Sequence, residues 1–499
     1  MQVNLDSQIE ARSRRQRSSK NDNDKVIGLW GSIALLVNNI TGPGLVILPL
    51  AFQTTGYAGL TLIITLYTLM SLVCIFFVAE TMTRIPGNER FQNSVEFMDL
   101  VRTYFSPRVH LVVLALFLVS CVGTNIGNIV ESAQTIDEAM LAFGSACALR
   151  LSPHPGFTCI TKEEASSDSV FGNDWVISVG LLILVVVTIP LGFLNLGDNI
   201  YIQHGAFLGL LIISLVWSIY FLTLDIHTEN LPAIGASGSS IGFLLFNFSF
   251  VLTVPAWINE KHSSVDLRKA STRASIIGVL LMVIPPLLAA LVLNFKSGED
   301  MLAILTGKSS PLPIRIFSYA FPIFSLVTSI PVISIVMRYN LISNNICSRP
   351  AAQFWAVIFP WIISILFYGG DMINFLMTWV GIGTAGVLNF IVPAALYLTT
   401  TRYNLLDTYD VSLEDRRLVD DDPRRGINGD SKKTDAFLDD DSDSEGANPS
   451  SRPGFNALPN WQRGRALLLP WMIIIFTVAA MVFATVMAIV KGGKSEILS

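Results

Sequence analysis

Charge is what this sequence has least of. Only 14% of its 499 residues are Asp, Glu, Lys or Arg, against 52% hydrophobic, and the mean hydropathy is +0.55. Soluble domains carry about 25% charge, so the composition describes a polytopic membrane protein. Histidine and cysteine are scarce as well, five of each, and no His/Glu or Cys/His pair falls at metal-site spacing. The sequence therefore implies no metal site and no cofactor. A phosphate loop is missing too, because Gly307-Lys308-Ser309 lacks the upstream glycine. Neither a ring of charges nor a carbonyl-filter motif marks a channel. These absences speak against an enzyme, and nothing suggests a nucleic-acid partner. The polar N-terminus carries Arg12, Arg14, Arg15, Arg17, Lys20 and Lys25 without the apolar core of a signal peptide, which reads as a cytosolic tail over 1–26.

What the sequence has instead is long apolar runs, and the first of them is interrupted. From Ile27 it is long enough to cross a bilayer, yet Val37 to Phe52 reads V-N-N-I-T-G-P-G-L-V-I-L-P-L-A-F. Pro43 has no N–H and its ring clashes with the carbonyl of Asn39, while Gly42 and Gly44 leave helical geometry cheaply. The helix should break here. Unpaired backbone at membrane depth is tolerated only where protein or a water-filled cavity receives it. Free carbonyls at Val37 to Ile40 suit a cation or ammonium, and free N–H groups at Gly44, Leu45 and Val46 suit a carboxylate. Asn39, Thr41, Gly42, Pro43, Gly44 and Leu45 are thus candidates for binding a zwitterion. The plainer alternative is a Gly/Pro kink that only packs against a neighbour.

The pattern N-x-x-x-G-x-G-x-x-x-L-P, carried by Asn38, Gly42, Gly44, Leu48 and Pro49, resembles the first membrane helix of the amino acid/auxin permease family, which includes vacuolar and neutral amino acid transporters. Pro43 is bulkier than the residue usual between those glycines. The resemblance extends over the membrane part of the chain, with looser motifs elsewhere. It implies two inverted repeats of five helices, as in bacterial leucine transporters, and aligns Pro255 to Glu260 with the sixth helix.

Taken in order, the apolar runs form eleven spans. Span two covers Ala58–Thr83, three Val109–Glu131, four Trp175–Leu194 and five Ile200–Leu224. Span six covers Ile241–Ile258, seven Ala274–Leu293 and eight Ile314–Met337; nine ends before a turn at Gly369 to Asp371, ten near Thr399, and eleven is Leu467–Val490. The expected fold is an all-α polytopic membrane protein, with repeats at 27–225 and 239–399 inside a core of 27–399. Span eleven, within 466–490, is an addition before a short tail at 491–499. The segment 400–465, with acidic blocks at Asp420 to Asp422 and Asp439 to Glu445, should be disordered and is the part open to cytosolic partners. Ser94 to Tyr104 has the pattern of an interfacial helix. With the N-terminus inside, the Arg-rich loops and the linker fall on the cytosolic face and only Lys296 and Lys308 oppose the bias. Cys147 and Cys159 then share a loop on the other side, where either a disulfide or two free thiols is open.

A second irregular helix stands five spans after the first, F-N-F-S-F-V-L-T-V-P-A-W from Phe246 to Trp257. Paired interrupted helices in corresponding positions of two halves point to a midplane substrate site. This adds Phe248, Ser249 and Thr253 to the candidate substrate residues. Phe246, Phe250 and Trp257 could wall the substrate side chain or simply pack. On span eight, Ser325, Thr328 and Ser329 line one face. In sodium-coupled relatives these hydroxyls and Asn38 are implied as ion ligands; the commoner use of such hydroxyls is to bond their own helix carbonyls. A proton route would need a titratable group: Glu80 and Glu260 at cytosolic helix ends and Glu131 close to the outer end each read first as solvated or paired, with Glu131 the relay candidate and His204 a weaker one.

The absence of acids at the break favours neutral amino acids. The sequence is read as a secondary active amino acid transporter working by alternating access on a proton or sodium gradient. The alternative is a sensor that binds an amino acid and signals through its tail or linker. Residence is open between the plasma membrane and a vacuolar or endolysosomal membrane, where Tyr403-Asn-Leu-Leu406 has the form of a sorting signal.

Overall fold

The computed structural model describes residues 25–42, 44–152, 154–161, 163–164, 170–172, 174–235, 244, 248, 250–295, 301–307, 309–369, 376, 378–401, 455–458 and 467–497. The N-terminal tail, Pro43, Asn247, Ser249, Lys296, Lys308, the turn residue Asp371 and most of the acidic linker lie outside them.

The first span is two helices, α1 (Leu29–Thr41) and α2 (Gly44–Thr55), bent by 50°. Long helices follow: α3 (Tyr57–Thr83), α5 (Pro107–Phe143), α7 (Leu196–Phe221), α9 (Leu267–Val292), α11 (Leu312–Ser343), α12 (Arg349–Phe367), α13 (Thr378–Thr401) and α14 (Leu468–Ile497). Among the described residues, eight helices are long and apolar enough to cross a membrane, or nine with the bent pair. The shorter apolar helix α6 (Val179–Gly192) and the 3₁₀ turn Val251–Thr253 with α8 (Val254–Glu260) take the places of spans four and six, and the short α10 (Met301–Leu305) follows α9.

From Gly31 on, α1 is buried apart from the half-buried Asn39, while Trp30 at its start is exposed; it packs on α7 and α9, and α2 on α9 and α3. Pro49 stands inside α2, where the N–H it lacks falls in the second turn after a fresh start at Gly44. By contrast α14 exposes Leu468, Trp471, Met472, Ile475 and Val482 and leans on the α13 stretch Val387–Ile391. That outward apolar face is what a peripheral membrane helix requires.

Two stretches depart from expectation. The apolar pattern ends span three near Glu131, but α5 continues about three turns further, to Phe143. The polar segment after it is not loop alone. It forms an antiparallel sheet in the order β2-β1-β3, from β1 (Ser145–Ser152), β2 (Gly156–Thr161) and β3 (Trp175–Ser178). Ala146 and Ala148, one period of two apart, bury one face of β1 in a cluster with Ile129, Ala133 and Leu181. The all-helical reading has no place for the sheet because β1 and β2 lie in a segment read as a polar loop and β3 in the residues that open span four. Cys147 lies directly opposite Cys159 in the β1–β2 register, with Cα atoms 4.0 Å apart, and the two are joined as a disulfide.

The amphipathic stretch becomes α4 (Phe97–Tyr104), opened by a capping box between Glu96 and Asp99. Its apolar face, Phe97, Met98, Leu100 and Val101, is buried against α5 and α11. Met98 N–H donates to Asn340 Oδ1 at 2.9 Å, and Arg102 to the Asn344 carbonyl at 3.2 Å.

Candidate functional site

The break is real in the backbone. Gly42, between α1 and α2, has φ 29° and ψ −157°, a region that side-chain-bearing residues rarely enter. Thr41 Oγ1 donates to the Val37 carbonyl at 2.9 Å, closing the last turn of α1 on itself. The Gly42 carbonyl has left the helix and accepts from Ser325 Oγ at 3.1 Å. Ser325 sits in the middle of Ile323–Val327, where α11 widens into a π turn. Such turns concentrate at functional sites because the extra residue re-aims side chains and carbonyls.

The other span-eight hydroxyls bond within their own helix. Thr328 Oγ1 donates to the Phe324 carbonyl and Ser329 Oγ to the Ser325 carbonyl, both at 2.9 Å. A hydroxyl that gives away its proton keeps two lone pairs, so this bonding is compatible with cation ligation.

The residue that joins these parts is Gln203 on α7, almost fully buried. Its Oε1 and its backbone oxygen both accept from Asn38 Nδ2, at 2.9 and 3.0 Å, and its own Nε2 donates to the Thr328 carbonyl at 2.9 Å. One amide therefore clamps α1 to α11. The Oδ1 of Asn38 and the Nδ2 of Asn39 remain buried with no hydrogen-bond partner. A buried polar atom in this state costs about 1–3 kcal/mol, and two at the mouth of a helix break leave one acceptor and one donor for a bound species.

At the second interruption, Thr253 Oγ1 donates to the Phe250 carbonyl at 2.7 Å, and Asn389 Oδ1 on α13 accepts from Leu252 N–H at 3.2 Å. Phe248 is fully buried and stacks on Tyr67 of α3 with ring centroids 5.8 Å apart. Tyr67 in turn meets Phe390 and Phe476. Phe248 is thus part of an aromatic cluster between α3, α13 and α14. Trp257 is also buried, and its indole N–H donates to Ser32 Oγ on α1 at 3.0 Å. Nearby, Ile27 N–H donates to the Glu260 carbonyl at 3.2 Å and His262 N–H to the Ile27 carbonyl at 2.9 Å. The entry to α1 and the exit of α8 are zipped together.

The titratable candidates stand on α3, α5, α7 and α8. Glu80 is buried and paired with Arg84, and Glu260 Oε1 accepts from the Tyr339 hydroxyl at 3.5 Å. Glu131 is half-buried in α5, and His204 is exposed on α7 with its Nδ1 2.8 Å from the Ile200 carbonyl. Among the described residues, no group of three or more His, Cys, Asp or Glu is placed to hold a metal ion.

Sequence reasoning passed over Gln203, Asn389 and Asp137. Asp137, fully buried in α5, accepts from Gly180 N–H at 2.9 Å and from the Tyr368 hydroxyl at 2.5 Å, tying α5 to the start of α6 and the end of α12. The signal was there for each: a polar side chain inside an apolar span faces protein, because lipid offers it no partner.

A polytopic helical membrane protein whose broken first span packs on α3, α7 and α9 has the architecture of a transporter built from two inverted five-helix repeats. The model of the family described as transmembrane amino acid transporter protein matches residues 25–414, and the chain belongs to that family, the one its first helix resembles. The fold is shared with the inward-facing conformation of Mhp1, at 12% identity and TM-score 0.50 over 76% of this chain and 77% of that one. Also similar is Mhp1, a nucleobase-cation-symport-1 family transporter, in a closed conformation with bromovinylhydantoin bound, at 13% identity and TM-score 0.47 over 93% of this chain and 95% of that one. A manganese transporter of Eremococcus coleocola in complex with an aromatic bis-isothiourea substituted compound aligns at 13% identity and TM-score 0.46, over 93% of this chain and 94% of that one. No curated protein matches the chain.

Proposed function

We propose that the protein moves neutral amino acids by alternating access, with the substrate backbone held at the break between α1 and α2 and the cycle driven by a sodium or proton gradient. The observation that carries this reading is the pair of buried, unpartnered atoms at the break, Asn38 Oδ1 and Asn39 Nδ2, beside the hydroxyl row of Ser325, Thr328 and Ser329. The half-helix ends there offer carbonyls to the ammonium and N–H groups to the carboxylate. No carboxylate side chain stands in Val37–Phe52 to counter a cationic substrate. An all-oxygen seat of carbonyl, amide and hydroxyl groups suits sodium, and Glu131 is the candidate relay if protons drive the cycle.

In this reading the repeats are 27–225 and 239–399, and the tail and the linker 400–465 face the cytosol on the strength of the Arg/Lys distribution. Residence is the plasma membrane or a vacuolar or endolysosomal membrane. The test is uptake of labelled neutral amino acids by the purified protein in liposomes under a sodium gradient, a pH gradient or neither. Accumulation under one gradient identifies the coupling ion. Equilibration under all three conditions makes the protein a facilitator, and saturable binding without uptake makes it a sensor.

A further inference from the structure

Within the linker between α13 and α14, residues 455–458 are docked on the transporter. Ala457 and Leu458 are buried, at 3% and 8% exposure, and both belong to the main hydrophobic cluster. The seat is made by the end of α3 and the start of α9. The Arg268 guanidinium lies over the rings of Phe76 and Phe455, 5.3 and 5.0 Å from their centroids, and the two rings stand 6.0 Å apart. Arg268 also donates to the carbonyls of Asn456 and Ala457. Ala457 N–H donates to Glu80 Oε2 at 2.5 Å.

The other Glu80 oxygen is paired with Arg84. Arg84 in turn donates to Thr401 Oγ1 at 3.4 Å and lies 5.7 Å over the Tyr397 ring of α13. A buried carboxylate reading a backbone N–H, a guanidinium reading two successive carbonyls and an aromatic platform together recognise a short bent peptide with one aromatic residue and a small one two positions later. Charge-assisted bonds of this kind are roughly twice as strong as neutral ones; Glu80 and Ala457 are almost fully withdrawn from water, while Arg268, Phe76 and Phe455 are half-buried.

We propose that this seat is a peptide-binding site for the chain's own linker, and that its occupancy restrains the ends of α3, α9 and α13 during transport. The second half of that statement rests on the transport reading; the first does not. Glu80 is thereby a docking residue and not a proton relay. An occupied seat clips the linker to two helices of opposite repeats, so any rearrangement that separates those ends must first release Phe455–Leu458.

The experiment uses the full chain with Cys74, Cys121 and Cys347 replaced by Ala, the Cys147–Cys159 disulfide kept, and a protease site placed in the linker between 402 and 454. Phe76→Cys with Phe455→Cys is oxidised, the linker is cut, and the cross-link is read as a chain that stays whole on a non-reducing gel. The seat predicts efficient cross-linking, slowed about tenfold by Ala457→Pro, which removes the N–H that Glu80 accepts. It also predicts uptake reduced several-fold in the cross-linked protein and restored by reductant, with reductant-treated parent chain as the control for the Cys147–Cys159 bond. Because that pair removes both platform rings, thiol labelling of Leu458→Cys in the same cysteine-replaced chain is the second measure. Failure to cross-link together with labelling no faster when Glu80→Gln is added overturns the seat, and full uptake by cross-linked protein overturns the restraint. If the parent chain itself moves no amino acid, the transport reading has failed while the cross-link yield and the labelling still decide the seat.

Discussion

Asn38 and Gln203, 165 positions apart, are joined twice: the Asn38 amide nitrogen donates to both the side-chain and the backbone oxygen of Gln203. Because Gln203 also holds the Thr328 carbonyl, the first half-helix and the π turn of α11 share one neutral bridge. Gln203→Leu keeps the volume and removes the bridge, leaving Asn38 Nδ2 with one bond fewer and the Thr328 carbonyl without this donor. A loss of about 1–3 kcal/mol for each buried group so exposed should lower the maximal uptake rate at least tenfold. Gln203→Glu keeps one acceptor and adds a titratable group, so it should make uptake fall with rising pH. Uptake kinetics across pH for both variants check this.

The φ of 29° at Gly42 sets a second expectation. A β-branched residue there meets a strain of about 1–3 kcal/mol at the point where the chain leaves the helix. Gly42→Val should abolish uptake while membrane insertion and expression persist, and Gly44→Val should do the same by blocking the N–H end of α2. Membrane fractionation alongside uptake separates the two effects. Normal uptake by both variants would remove the substrate site from the break.

Trp257 holds α1 through Ser32 Oγ. Trp257→Phe keeps most of the apolar volume and deletes one buried hydrogen bond worth about 0.5–1.5 kcal/mol. The zip between the entry to α1 and α8 should open several-fold more often, read as faster modification of Ile27→Cys, whose backbone bonds are kept, by a membrane-impermeant thiol reagent in a background without free cysteines. An unchanged rate would mean that the backbone bonds of Ile27 alone keep this end shut.

Cys147 and Cys159 close a short loop, with a sequence separation of 12. Chain-entropy arguments give a loop of this size about 3 kcal/mol. Cys147→Ser with Cys159→Ser should therefore loosen the sheet, seen as protease cleavage near the β1–β2 connection and a lower melting temperature. The break lies on other helices, so the affinity for substrate should hold. A large change in that affinity would tie the sheet to the transport path.

Much was legible along the chain because it depends on residues close together. The membrane class follows from the shortage of charge, and the interruption at Gly42-Pro43-Gly44 follows from backbone chemistry that no neighbour can reverse. The placing of both cysteines in one polar segment, the hydroxyl row of span eight and the acidic character of 400–465 are local facts of the same kind. What tertiary structure alone decided are the partners. A glutamine in span five reads as one polar residue among apolar ones until Asn38 and Thr328 are brought to it. Glu80 reads as a solvated helix end until Ala457, 377 positions later, presents its N–H. Phe248 reads equally as substrate wall or packing until Tyr67 is found against it. Periodicity and propensity carry information over a few turns, whereas a buried hydrogen bond is satisfied by whichever segment the fold delivers, and that choice is made only when the helices pack.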